Sequence, residues 1–114
     1  MKTLNLTLKK KWFDMILQGE KQEEYREIKP YWEQRLCREF DCTTKRAVII
    51  AGRDSFIKYD TITFKNGYAK DCPIMELELK GIEVGMTKSN WCDDGEVEVF
   101  VLKLGRIIFF KNCG

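Results

Sequence analysis

Leu4, Leu6 and Leu8 alternate with Asn5 and Thr7, and this period of two predicts a strand with one buried face. The period then changes. Trp12, Met15 and Ile16 recur at helical spacing, Phe13 and Leu17 widen the apolar stripe, and Gly19 supplies a stop, so a helix is expected over 11–18. Residues 22–28 return to a period of two but are mostly polar. Glu24, Arg26 and Ile28 share one face of this expected strand, and Glu23, Tyr25 and Glu27 share the other. Pro30 suits the first turn of a second helix, along which Trp32, Leu36 and Phe40 recur every four residues.

From residue 46 onward the pattern is mostly that of strands. Ala47-Val48-Ile49-Ile50 is a short apolar strand ending at Ala51-Gly52, and Thr61-Ile62-Thr63-Phe64 alternates before Asn66-Gly67, a hairpin-turn signal. Met75, Leu77 and Leu79 mark another strand, and a further one is read through Ile82 and Val84. Residues 85–95 have loop composition apart from Trp91. Val97, Val99 and Val101 alternate with Glu96 and Glu98, and Ile107 to Phe110 forms a last apolar strand. No repeat, linker or low-complexity segment divides residues 1–114, so one domain is expected. The order predicts an α+β fold: a mostly antiparallel, partly closed β-barrel of about six strands with two helices packed on it.

Composition narrows the chemistry. An apolar fraction of 44% with 33% charged residues describes an ordinary globular protein rather than a disordered one. No apolar run approaches the roughly 20 residues of a membrane span, and Met-Lys-Thr-Leu-Asn lacks a signal-peptide core, so a cytoplasmic, non-membrane protein is expected. The five cysteines (Cys37, Cys42, Cys72, Cys92, Cys113) are odd in number and contain no CxxC pair. That favours reduced, mostly buried thiols over a disulfide framework or a zinc site, and no metal or cofactor is implied. Histidine is absent, so any acid–base catalysis falls to Lys, carboxylates, Tyr, Thr or Cys. Net charge is +2, yet residues 1–58 carry +4 and residues 59–114 carry −2. A positive amino-terminal half favours a nucleic-acid or nucleotide partner.

The most informative segment is Gly19-Glu20-Lys21-Gln22-Glu23-Glu24-Tyr25-Arg26, which places Lys21, Glu24 and Arg26 at a helix-to-strand junction. Junctions aim side chains into clefts, so these three groups can converge on one polar ligand; a solvated charged strand is the alternative. Together with Leu6-Thr7-Leu8 and Trp12-Phe13-Asp14-Met15-Ile16, the segment resembles the opening of the ASCH domain family. The family signature is Gly-x-Lys-x-x-Glu-x-Arg between the first helix and the second strand, and Gly19, Lys21, Glu24 and Arg26 match its fixed positions. The resemblance is carried by residues 3–28, and Tyr59-Asp60-Thr61-Ile62-Thr63-Phe64 looks like a later barrel strand of the family.

What the resemblance implies is a PUA-like barrel whose cleft, lined by the signature residues, holds RNA or a nucleotide. Some small relatives are amidohydrolases that deacylate a modified cytidine with a Lys, a Thr and a Glu, and others cut RNA. The catalytic Lys matches Lys21, whereas the Thr position is occupied here by Glu24. In the binding reading, Arg26 grips a phosphate or base edge, Lys21 adds a point charge, and Glu24 accepts from an exocyclic amine or holds Arg26. In the hydrolase reading, Lys21 acts as base and Glu24 orients a water. Simple surface pairing of Glu24 with Arg26 is the structural alternative. Arg53, after the strand ending at Gly52, is a further candidate contact. Lys2 with Lys9-Lys10-Lys11 forms either a phosphate-tracking patch or a solubilising helix start. Trp12 and Trp32 are expected in the core rather than as base-stacking faces, and Trp91 as a plug rather than a lid. The oligomeric state is left open by the sequence.

Overall fold

A computed structural model describes residues 2–37 and 56–113. These form an α+β fold: β1 (Thr3–Thr7), α1 (Lys10–Leu17), β2 (Glu23–Arg26), α2 (Pro30–Leu36), β3 (Thr61–Lys65), β4 (Ile74–Met86), a 3₁₀ turn at Ser89–Trp91 and β5 (Glu98–Lys111). The five strands are hydrogen-bonded in the order β1-β3-β4-β5-β2. Packing divides the chain into two units, Met1–Gln22 with Tyr59–Lys80 and Lys103–Gly114, and Glu23–Lys58 with Gly81–Leu102.

In the first unit, the alternation that predicted β1 buries Leu4, Leu6 and Leu8 while Asn5 and Thr7 stay exposed. β1 lies parallel to β3, from Thr3 opposite Thr61 to Thr7 opposite Lys65. β3 is antiparallel to β4, from Thr61 opposite Glu78 to Lys65 opposite Ile74. The sheet is therefore mixed rather than uniformly antiparallel. Ile62, Phe64, Met75 and Leu77 are all sealed from solvent, and α1 adds Phe13 and Ile16 to the buried set. Gly19 closes α1 with φ 82°, a left-handed conformation that costs glycine little, and its N–H donates to the Ile16 carbonyl at 3.0 Å. Between β4 and β5 the backbones approach closely: a Cβ added at Gly105 would lie 2.9 Å from Glu78 Cβ.

In the second unit, Tyr25, Val99 and Val101 form a buried cluster against which Trp91 and Cys92 pack. Phe56 and Phe100 meet edge to face, with centroids 5.9 Å apart, and Leu36 is fully buried. Thr87 ties the segment before β5 in place. Its hydroxyl donates to the Gly95 carbonyl and accepts from the Val97 N–H at 2.9 Å.

Several expectations change. The separate strands read at 74–79 and 82–84 are one strand, β4, and those at 97–101 and 107–110 are joined in β5. Five strands are present among the described residues; the strand read at Ala47–Ile50 lies outside them, as do Phe40, Cys42 and Arg53. Asn66-Gly67 does not make a two-residue hairpin, because β3 and β4 are joined through residues 66–73. Asn66 instead donates its side-chain amide to the Leu8 carbonyl at 3.0 Å, and its N–H to the Pro73 carbonyl at 3.0 Å. Of the four described cysteines only Cys37 is buried. No helix among the described residues is long and apolar enough to cross a membrane.

Candidate functional site

Lys21 belongs to the first unit. It follows the αL closure of α1 and is only 2% exposed, its N–H donating to the Met15 carbonyl at 3.1 Å. Its Nζ lies 5.2 Å from the centre of the Trp12 ring, and Lys11 Nζ lies 4.3 Å from the same ring. Trp12 is thus half-buried and flanked by ammonium groups rather than sunk in the core. The lysine run at the start of α1 is partly neutralised, since Lys10 pairs with Asp14 at 2.6 Å one turn on.

The remaining signature residues sit on β2 in the second unit. This polar strand is not the solvated one of the alternative reading: Glu23, Glu24 and Tyr25 are all buried, so both faces are covered. Glu24 and Arg26 share a face, as the period of two requires, and pair at 3.3 Å. Their side chains are 5% and 16% exposed, so this is a desolvated ion pair and not a surface one. Glu24 Oε1 also accepts from the Tyr25 N–H at 2.9 Å, and Arg26 Nη1 donates to the Tyr25 carbonyl at 2.7 Å.

Trp32 meets this pair from α2. The Arg26 guanidinium stands 5.1 Å from the Trp32 ring centre, and that of Arg35 stands 5.3 Å from it. Arg35 also donates to the Tyr31 hydroxyl at 2.8 Å, and Tyr31 meets Trp32 edge to face at 4.9 Å. Trp32 is half-buried, and the buried positions of α2 are Glu33 and Leu36. The helical stripe is thus rotated by one residue from the Trp32–Leu36 face that the spacing suggested.

On the other face of β2, Tyr25 donates its hydroxyl proton to Glu23 Oε1 at 2.8 Å and accepts from the Lys88 N–H at 3.2 Å. Burial pushes the Tyr25 phenol well above its ordinary range; the Lys88 N–H opposes this and Glu23 reinforces it. The phenol therefore stays protonated and holds the residues around the 3₁₀ turn against β2. Trp91 packs here against the buried cluster, with Lys88 Nζ 4.6 Å from its ring.

Glu33 gave no sequence signal, because an acidic residue in a helix's first turn is ordinary. It is 4% exposed and its Oε2 is buried with no hydrogen-bond partner. Burial raises its pKa above the usual 4.5. Because the folded-state pKa is the higher one, Glu33 weakens the fold as pH rises from the unfolded value through the folded value. Glu33→Gln is expected to raise stability at neutral pH by about 1–2 kcal/mol, with the gain vanishing below the ordinary carboxyl range. Urea midpoints measured across pH check this, and an equal gain at every pH would contradict it.

No model of a known protein family matches the chain, and no curated protein or solved structure matches it either. Nothing in these comparisons identifies a family for the chain.

Proposed function

We propose that the chain binds RNA or a nucleotide, with Arg26 meeting the ligand and Glu24 and Trp32 setting the guanidinium's orientation. The observation that carries this reading is a guanidinium held at once by a buried carboxylate, a backbone carbonyl and an indole face. A buried ion pair of this kind gives little net stability compared with apolar residues of the same volume. It does give a fixed planar fork, the geometry suited to a phosphate or a base edge. Glu24, engaged by Arg26 and by the Tyr25 N–H, fits the positioning of Arg26 better than the orienting of a water. The signature match and the positive charge of residues 1–58 support the same class of ligand. Lys21 enters through its place in the resembled motif, and Arg53 through the loop position read from the sequence.

The test is calorimetric titration of nucleoside monophosphates and short RNAs. Arg26→Lys keeps a cation opposite Glu24 but removes the fork, and it is expected to weaken binding about tenfold. Affinity unchanged by this substitution, or no binding by the native chain, would remove the reading.

A further inference from the structure

The first unit carries a surface that the signature residues do not explain. Seven large hydrophobic side chains are exposed among the described residues, and the four in this unit all fall in two stretches: Tyr68, in the loop joining β3 to β4, and Ile108, Phe109 and Phe110, near the end of β5. Phe109 is 45% exposed, Phe110 58% and Tyr68 93%. Successive strand residues point to opposite faces, so exposure of three in a row means that neither face is covered there. The segment just past the run is bonded to the end of the β3–β4 loop and the start of β4: Asn112 donates to the Cys72 carbonyl at 3.5 Å, and Cys113 donates to the Ile74 carbonyl at 3.6 Å.

Charge indicates the occupant. Residues 103–114 contain Lys103, Arg106 and Lys111 and no acidic residue. Arg106 and Lys111 bracket the apolar run, and Glu78 of β4 meets Arg106 twice in exposed contacts, 3.5 Å from its guanidinium and accepting its backbone N–H at 3.3 Å. A second copy pairing antiparallel with Ile108 opposite Phe109 would set Arg106 opposite Lys111, like charge against like charge. A polyanion meets no such conflict. Aromatic faces interleaved with cations are the arrangement on which unpaired bases stack while phosphates follow the charges.

We infer that the end of β5 and the β3–β4 loop form a platform for single-stranded nucleic acid, with Phe109, Phe110 and Tyr68 stacking on bases and Arg106 and Lys111 meeting phosphates. The platform shares no residue with the Arg26 site and does not depend on that reading.

The experiment uses the full chain and a labelled oligouridylate about twelve nucleotides long, followed by fluorescence anisotropy against salt, with uridine monophosphate titrated alongside. Phe109→Ala/Phe110→Ala is expected to weaken oligonucleotide binding by about tenfold or more, leaving monophosphate binding as it is. Phe109→Leu/Phe110→Leu keeps the strand apolar but removes the ring faces, and it is expected to weaken binding in the same direction. Lys111→Ala should flatten the salt dependence by about 0.7 in log–log slope. The platform is overturned if the oligonucleotide does not bind or if its affinity ignores the aromatic substitutions. Binding of anionic phospholipid vesicles in place of the oligonucleotide, or a dimer dissolved by the same substitutions, would equally reassign the surface. Loss of monophosphate binding alone would count against the Arg26 site and leave the platform standing.

Discussion

Phe100→Ala is expected to lower the unfolding free energy by about 4 kcal/mol, the largest stability effect of any substitution considered for this chain. Phe100 is fully buried on β5, and its ring meets that of Phe56 nearly at right angles, at 89°. Truncation loses both the transfer free energy of the ring and the edge-to-face contact, and leaves a cavity that Val99 and Val101, pinned on the same strand, are poorly placed to fill. Phe100→Leu should cost far less, because most of the volume is kept. Urea denaturation of the two variants decides the matter. Similar midpoints for Ala and Leu would mean that the site collapses freely and that the packing is looser than described.

Glu24→Ala is expected to cost roughly 3 kcal/mol, since it leaves the Arg26 guanidinium desolvated without its carboxylate. Arg26→Ala should cost a comparable amount for the converse reason. The double substitution should then cost clearly less than the two singles together, the mark of a coupled pair. The cycle separates the desolvated pair from a surface one, for which each single change would be worth under about 1 kcal/mol and coupling would be close to zero. High salt sharpens the distinction, because a screened surface pair would lose its coupling and a buried one would retain it.

The local periods were legible wherever one face of an element is buried and the other is not. β1 and α1 follow this rule; β2 is covered on both faces, and there the period of two still put Glu24 and Arg26 on one face. What could not be read is tertiary. The strand at 74–86 changes its buried parity, from Met75, Leu77 and Leu79 to Ile82, across Lys80-Gly81. A change of parity with a glycine reads as a break, yet the backbone continues. Asn66-Gly67 misled for a related reason, because turn chemistry names residues that tolerate a bend without saying how long the connection is. The choice of Glu33 over Trp32 for the buried face of α2 depends on what the helix packs against, and apolar spacing cannot see that. The stacking of Arg26 on Trp32 joins two elements through a contact of the same kind. The parallel pairing of β1 with β3 likewise needs a crossover, which neither strand encodes alone.

β4 and β5 each run unbroken from one unit into the other, and neither unit is a continuous stretch of chain. A single proteolytic cut therefore cannot release either as an intact fragment, and expressing one half of the gene would yield strands without neighbours. During synthesis β1 emerges more than fifty residues before its parallel neighbour β3, a wait of seconds at ordinary ribosomal speed. Both halves must then be completed together, once β5 has left the exit tunnel.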